Sequence, residues 1–162
     1  MNTKIRTLLA MLAASVGAIV VPAQTSAPAF AQETGLQLKQ IEAPHHNKPI
    51  EIAVWHPAND GGETVIFGEN RGLRGVAGAK GASPKSGKSP VVLFSHGMGG
   101  THRAQAWRAN GLALRGAIVV AVNHPNSTWG DFDMAKGVMH WTRALDLSTA
   151  LDTVLDNPEI GP

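Results

Sequence analysis

The chain has 162 residues, of which 43% are hydrophobic, a length and composition that suit one globular domain and exclude wholesale disorder. It contains no cysteine, which excludes a disulfide scaffold, a thiolate zinc site and a cysteine nucleophile among these residues. The formal net charge is +2, so the meaning of the charge depends on where the basic residues lie.

The first 31 residues have the pattern of a secretory signal peptide. Lys4 and Arg6 form a positive start, an apolar run follows from Leu8 to Val21, and Ala29-Phe30-Ala31 resembles a cleavage site. The run is shorter than the roughly 20 residues of a membrane-spanning helix, so we expect no stable membrane anchor. The pattern predicts cleavage near Ala31 and export to the periplasm or medium, leaving residues 32–162.

The predicted signal peptide carries two basic residues and no acidic one, so residues 32–162 have a formal net charge of zero. Binding to nucleic acid needs a basic surface. We therefore expect no nucleic-acid partner.

The first elements of residues 32–162 are two predicted strands and a loop. Leu36 to Ile41 alternates apolar and polar residues, and Ile50 to Trp55 is rich in β-branched residues, so the two favour a hairpin. Residues 61–90 are rich in Gly and Lys or Arg and, apart from Val65 to Phe67, show no periodicity. We interpret residues 61–90 as a long exposed loop.

The next three segments predict a βαβ unit. Pro90 to Phe94 and Ala117 to Val122 are continuous apolar runs, typical of strands buried in a parallel sheet. Between them, Thr101 is a suitable N-cap and Gly116 a suitable stop for a helix over 102–115, with Ala104, Trp107, Gly111 and Leu114 on one face. A loop runs from Asn126 to about Val138.

A last helix follows that loop and ends at Asn157-Pro158, with an apolar stripe formed by Trp141, Ala144, Leu145, Ser148, Leu151 and Leu155. Together these elements predict an α/β fold with a mixed, mostly parallel sheet and flanking helices. Ligands of such sheets bind at the carboxyl ends of the strands. Here those ends are 95–100 and 123–127.

The histidines and the Lys-rich loop do not predict a metal or nucleotide site. His45 and His46 lie near the first predicted strand pair, and adjacent histidines on a strand point to opposite faces and chelate poorly. Residues 82–89 match a permissive phosphate loop, but a strand follows them where a helix is needed. We therefore predict no metal and no cofactor.

His96-Gly97-Met98-Gly99-Gly100 follows a predicted buried strand. The segment is either a glycine-rich turn or a backbone anion site whose amides converge on an oxyanion.

Val91 to Gly100 resembles the third strand and oxyanion loop of α/β-hydrolases, most closely the dienelactone-hydrolase-like and platelet-activating-factor-acetylhydrolase-like serine esterases. Ile52-Ala53-Val54-Trp55-His56-Pro57 resembles that group's early strand, although His56 departs from its pattern. Asn123-His124-Pro125-Asn126-Ser127 and Arg143-Ala144-Leu145-Asp146-Leu147-Ser148 resemble two further motifs in the same order.

The resemblance implies that the Met98 backbone N–H donates to the oxyanion. It also implies that His96, Gly97 and Gly99 shape the loop, with His96 not acting as the catalytic base. The implied substrate is a small-molecule ester.

No Gly-x-Ser-x-Gly nucleophile motif occurs in the 162 residues. Ser95 and His96 are neighbours and form a poor nucleophile–base pair, and a triad of Ser95, His124 and Asp131 has no support from spacing. We therefore expect the N-terminal part of an exported α/β-hydrolase that lacks its nucleophile, acid and base. The alternative is a non-catalytic exported binding module, or a gene remnant, that uses the glycine-rich loop. The sequence does not determine the oligomeric state.

Overall fold

The computed structural model describes residues 34–157 and residue 159; the predicted signal peptide at 1–31 lies outside the described residues. Six of the described strands form one sheet in the order β3-β4-β1-β2-β6-β5. They are β1 (Thr34–Ile41), β2 (Ile50–Pro57), β3 (Glu63–Phe67), β4 (Val76–Lys80), β5 (Val91–Ser95) and β6 (Ile118–Val122).

The helices and a small ribbon make up the rest of the described fold. A 3-10 helix (His102–Gln105) leads directly into α1 (Ala106–Ala113), and α2 (Met134–Gly137) precedes the long α3 (His140–Leu155). The two-residue strands β7 (Ser127–Thr128) and β8 (Asp131–Phe132) pair with each other. In the part of the chain that the structure describes, no helix is long and apolar enough to cross a membrane.

The predicted hairpin and the βαβ unit are both present. β1 and β2 pair antiparallel, with Leu36 opposite Trp55, and both of these side chains are fully buried. β5 and β6 pair parallel, with Leu93 opposite Val120, across the 3-10 helix and α1. Apolar residues cover both faces of the central strands, as continuous apolar runs predict.

The mixed α/β sheet is confirmed, but parallel pairs are not in the majority among the described strands. Three pairs are antiparallel (β1 with β2, β2 with β6, β3 with β4) and two are parallel (β1 with β4, β5 with β6). Two of the three antiparallel pairs are hairpins, and only the β1–β2 hairpin was predicted from the sequence.

The segment 61–90 is not a single long loop. It contains β3 and β4, which form a hairpin whose second strand pairs parallel with β1. The β4 sequence, Val76-Ala77-Gly78-Ala79-Lys80, has little β propensity of its own, and its pairing with β1 is what makes it a strand. The stretch 81–90 contains neither helix nor strand, and β5 follows it.

The predicted apolar faces of the two long helices are wrong. In α1 the buried residues are Ala106, Ala109 and Ala113, whereas Trp107 is 61% exposed. In α3 the buried residues are Asp146, Ala150 and Val154, whereas Trp141 is 65% exposed. Small side chains let the helices lie close to the sheet, so the bulky ones point outward. The buried side of α3 also includes the carboxylate of Asp146.

Candidate active site

Two loops meet at the carboxyl ends of β5 and β6. The amide of Gly99 donates to the carbonyl of Ser127 over 2.8 Å, and the amide of Trp129 donates to the carbonyl of Gly100 over 3.1 Å. Residues 95–100 and 123–129 are therefore held together at the edge where the topology predicts ligand binding.

The glycine-rich loop leaves two backbone donors free. Gly99 has a φ of 72°, a conformation that glycine adopts without strain, and the amide of Gly100 returns to the carbonyl of Gly97 over 2.9 Å. Within residues 34–157, the amides of Gly97 and Met98 make no hydrogen bond. Free amides in a tight turn are the form that an oxyanion hole takes.

His96 is 3% exposed and lies inside the loop. Its Nδ1 is 2.7 Å from the carbonyl of Gly97, which can only accept, and its Nε2 is 3.1 Å from the amide of His124, which can only donate. His96 is therefore the neutral tautomer with its proton on Nδ1. Burial lowers its pKa, against the opposing effect of the Gly97 carbonyl, so the ring stays neutral. Through these contacts His96 joins the loop at 96–100 to the segment after β6, and its loop-shaping role stays a prediction.

Behind the loop lies a chain of hydrogen bonds from Ser95 to Asp146. Ser95 Oγ is 2.9 Å from Nε2 of His124, and Nδ1 of His124 is 2.8 Å from Oδ2 of Asp146. A carboxylate only accepts, so Nδ1 carries the proton and Nε2 accepts from the serine hydroxyl. The triad considered from sequence had Asp131 as its acid. Asp131 instead accepts from Lys48 over 2.7 Å.

Asp146 is fully buried and ionised. Burial raises its pKa most strongly, but hydrogen bonds from His124 and His45, with the charges of His46 and His124, outweigh it. The pKa of Asp146 therefore lies below its usual value. The side chains of His45 and His46 reach this carboxylate from the loop between β1 and β2.

Arg143 connects α3 to both loops. Its Nη2 donates to Ser95 Oγ over 3.0 Å and also to the carbonyl of His96, and its Nη1 donates to Ser127 Oγ over 3.0 Å. Burial lowers the pKa of Arg143 and the neighbouring Asp146 raises it. Arg143 and Asp146 are three residues apart, which puts both on one helix face. That spacing was visible in the sequence, but the predicted apolar stripe put the buried face elsewhere.

Several large apolar side chains surround the two loops without being covered. Trp129 is 80% exposed, and Phe132, Met134 and Met98 are also exposed. All four lie in or directly after the two loops in sequence and are open to solvent in the described structure.

Residues 73–130 match the family model described as platelet-activating factor acetylhydrolase, isoform II. No curated protein matches the chain significantly.

Among solved structures, a ferulic acid esterase from Streptomyces cinnamoneus superposes with a TM-score of 0.65 at 21% identity. The match covers 83% of this chain and 50% of that one, so the chain spans half the length of that esterase. The resemblance inferred from the sequence is confirmed: the chain has the α/β-hydrolase fold and resembles its platelet-activating-factor-acetylhydrolase-like esterase branch.

Proposed function

We propose that this chain is the N-terminal part of an exported carboxylic ester hydrolase that works through an acyl-serine intermediate. The observation that carries the proposal is the pair of free amides at Gly97 and Met98, at the carboxyl end of β5. The family match at 73–130 includes this loop, and the similar solved structure is that of an esterase.

In the proposed mechanism, the loop at 96–100 stabilises the negative charge that develops on the substrate. When a serine hydroxyl attacks the ester carbonyl, negative charge develops on the carbonyl oxygen. The Met98 N–H donates to that oxygen and is already oriented, so no reorganisation is needed as the charge forms. The neutral His96 and the cationic Arg143 fix the loop from behind by their bonds to its carbonyls.

We propose that the nucleophile comes from a segment outside these 162 residues, on a strand beside β5. Two observations support this. No Gly-x-Ser-x-Gly motif occurs in the chain. Among the described strands β5 pairs only with β6, and its apolar residues Val91 to Phe94 remain half-buried. A further strand would cover them and place a nucleophile elbow beside the free amides.

A second candidate is hydrolysis by this chain itself, with Ser95 as nucleophile, His124 as base and Asp146 as acid. The hydrogen-bond chain favours it, because each bond has the direction that nucleophile activation needs. We place it second because Arg143 also donates to Ser95 Oγ, which holds the hydroxyl in a structural network.

The discriminating experiment is p-nitrophenyl ester hydrolysis by the purified 162-residue chain and by the product of the reading frame extended past codon 162. We expect a Gly-x-Ser-x-Gly within about 20 further codons and turnover by the extended protein alone. Turnover by the 162-residue chain that Ser95→Ala abolishes would establish the second candidate. A stop codon without the motif, together with monomeric cooperative folding of the chain, would favour the binding module.

The oxyanion role has its own test in the extended protein. Met98→Pro removes the backbone N–H, and we expect kcat to fall by about 100- to 1000-fold, the usual effect of losing one oxyanion donor. Met98→Ala keeps the N–H and serves as the matched control, with kcat nearly unchanged. Equal losses in both variants would show that the Met98 side chain matters and its amide does not.

A further inference from the structure

Three ligand atoms converge on the side of Asp146 that faces away from His124. Oδ1 of Asp146 lies 2.7 Å from Nε2 of His45 and 2.9 Å from Nε2 of His46. All three atoms lie within 4.8 Å of one another. Two imidazole nitrogens and a carboxylate oxygen are a donor set that divalent transition metals use in proteins.

A turn explains why two successive histidines face the same way. β1 ends at Ile41 and β2 begins at Ile50, so the pair lies on neither strand. The amide of His46 donates to the carbonyl of Ala43 over 2.8 Å, and the two rings lie 4.5 Å apart between centroids with planes tilted by 49°. The geometric argument against chelation applies to strands, so it does not apply here.

Metal binding requires a change of tautomer at the two histidines. In the metal-free chain Nε2 of each histidine donates to Oδ1 of Asp146, because an ionised carboxylate only accepts. Within residues 34–157 the Nδ1 atoms of His45 and His46 make no hydrogen bond, so the proton can move to Nδ1 when a metal takes the Nε2 lone pair. Asp146 is ionised, and its Oδ2 is held by the Nδ1–H of His124. A ligand carboxylate oriented by such a hydrogen bond is typical of metal sites.

The required adjustment is small. Ligand atoms about 2.0–2.2 Å from a tetrahedral zinc ion are about 3.3–3.6 Å apart. The two nitrogen–oxygen distances of 2.7 and 2.9 Å must therefore widen by about 0.4–0.9 Å. We expect rotation of the two imidazoles about their side-chain bonds to supply this movement.

A cleft of about 420 Å³ opens beside the two histidines and provides access to a fourth, solvent ligand. Two lysines line the cleft, but their charges are compensated. Lys48 donates to Asp131 over 2.7 Å, and Nζ of Lys136 lies 3.7 Å from Asp133. The cleft therefore does not repel a cation as strongly as its lining suggests.

We propose that His45, His46 and Asp146 bind one divalent transition-metal ion of the Zn²⁺ type, with water from the cleft as a fourth ligand. This departs from the sequence-based expectation of no metal. The bound ion joins the β1–β2 loop to α3 and, through Asp146 and His124, to the end of β6. The proposal does not depend on ester hydrolysis.

The test is calorimetric titration of Zn²⁺ into the chelator-stripped 162-residue chain, with the visible absorption of the Co²⁺-loaded chain as a second readout. We expect saturable binding at one ion per chain and a four-coordinate Co²⁺ spectrum. In His45→Gln and His46→Gln the amide can still donate to Asp146 but is a poor zinc ligand. Each variant should keep the fold and bind at least about tenfold more weakly, since even second-shell changes cost that much.

His140→Ala is the matched control, because His140 is an exposed histidine at the start of α3, outside the cluster. It should bind Zn²⁺ like the parent chain, and far-ultraviolet circular dichroism of every metal-free variant checks the fold. The proposal is overturned if stripped chain binds no stoichiometric Zn²⁺. Unchanged affinity in the double variant His45→Gln/His46→Gln would overturn it equally.

Discussion

At the scale of single residues, the buried histidines are the most consequential side chains. His56, His96, His102 and His124 are each at most 3% exposed. Burial lowers the pKa of the first three, and for His102 the value falls to about 4 against the opposing charge of Glu51. His102 also has no hydrogen-bond partner for either ring nitrogen among the described residues. The folded protein thus holds the rings of His56, His96 and His102 neutral under conditions where free histidine is charged.

The neutral form of the buried His102 predicts that the folded protein loses stability in mild acid. As the pH falls from 6.5 to about 4, the unfolded chain takes up a proton at His102 that the folded chain does not, so the free energy of unfolding decreases. One such histidine contributes at most about 1.4 kcal/mol per pH unit. We expect His102→Phe, which keeps a ring against Phe67, to flatten this dependence in urea unfolding at pH 7.5 and 5.0.

The control is His140→Ala, since His140 is exposed and its removal should leave the slope as it is in the parent chain. A His102→Phe variant with the parent's full pH slope would show that the other buried groups account for the acid sensitivity.

At the scale of elements, the end of α1 shows a glycine used for its conformation. Gly116 has a φ of 97°, and its amide donates to the carbonyl of Ala113. The amide of Ala117 donates to the carbonyl of Leu112. These two bonds form a Schellman motif, which satisfies the last carbonyls of the helix. The motif leads the chain directly into β6.

Gly116→Ala should therefore destabilise the protein by about 1–2 kcal/mol, the cost of the left-handed conformation for an L-residue. Among the described residues, no atom other than those of Gly116 and its two chain neighbours lies within 4 Å of the added Cβ, so the effect isolates backbone strain. Gly111→Ala within α1 is the matched control and should stabilise by about 0.5–1 kcal/mol. Both are measured by urea unfolding, and a neutral Gly116→Ala would contradict the assignment of strain.

The elements also show how far the sequence could predict the fold. Strands β1, β2, β5 and β6 followed from alternation or apolar runs, because their own residues suffice to define them. β4 could not be predicted from its composition, because β1 and β3 supply its pairing. The predicted buried faces of the two long helices were wrong for a related reason. Ala109 and Asp146 are buried by their tertiary contacts, whereas hydrophobicity alone favours burial of Trp107 and Trp141.

The location of the candidate site could be predicted from the sequence, but only some of its residues could. The loop at 96–100 followed from a glycine cluster after a buried strand. The network of Ser95, His124 and Asp146 joins three elements far apart in sequence, and nothing local specifies which aspartate faces His124. The turn that makes His45 and His46 converge is likewise a tertiary feature.

At the scale of the whole molecule, the two sheet edges differ in character. The β3 edge carries Glu63 and the exposed Ile66, whereas the β5 edge presents a run of half-buried apolar residues. Exposed apolar edges are sites of strand-to-strand association. The isolated chain should therefore self-associate through β5.

We expect light scattering after gel filtration to show mass increasing with concentration for the isolated chain. Val91→Lys, which charges the β5 edge, should reduce that increase. Ile66→Lys on the opposite edge is the matched control and should leave it unchanged. Equal effects of both substitutions would locate the association elsewhere.

The uneven placement of the four tryptophans has a practical consequence. Trp55 is fully buried in β2 against the edge of Phe67, whereas Trp107, Trp129 and Trp141 are between 61% and 80% exposed. Most of the intrinsic fluorescence thus arises from indoles already in water, whose emission changes little on denaturation. Replacing those three by phenylalanine leaves Trp55 as a single reporter, and its shift to longer wavelength then follows opening of the sheet's centre alone.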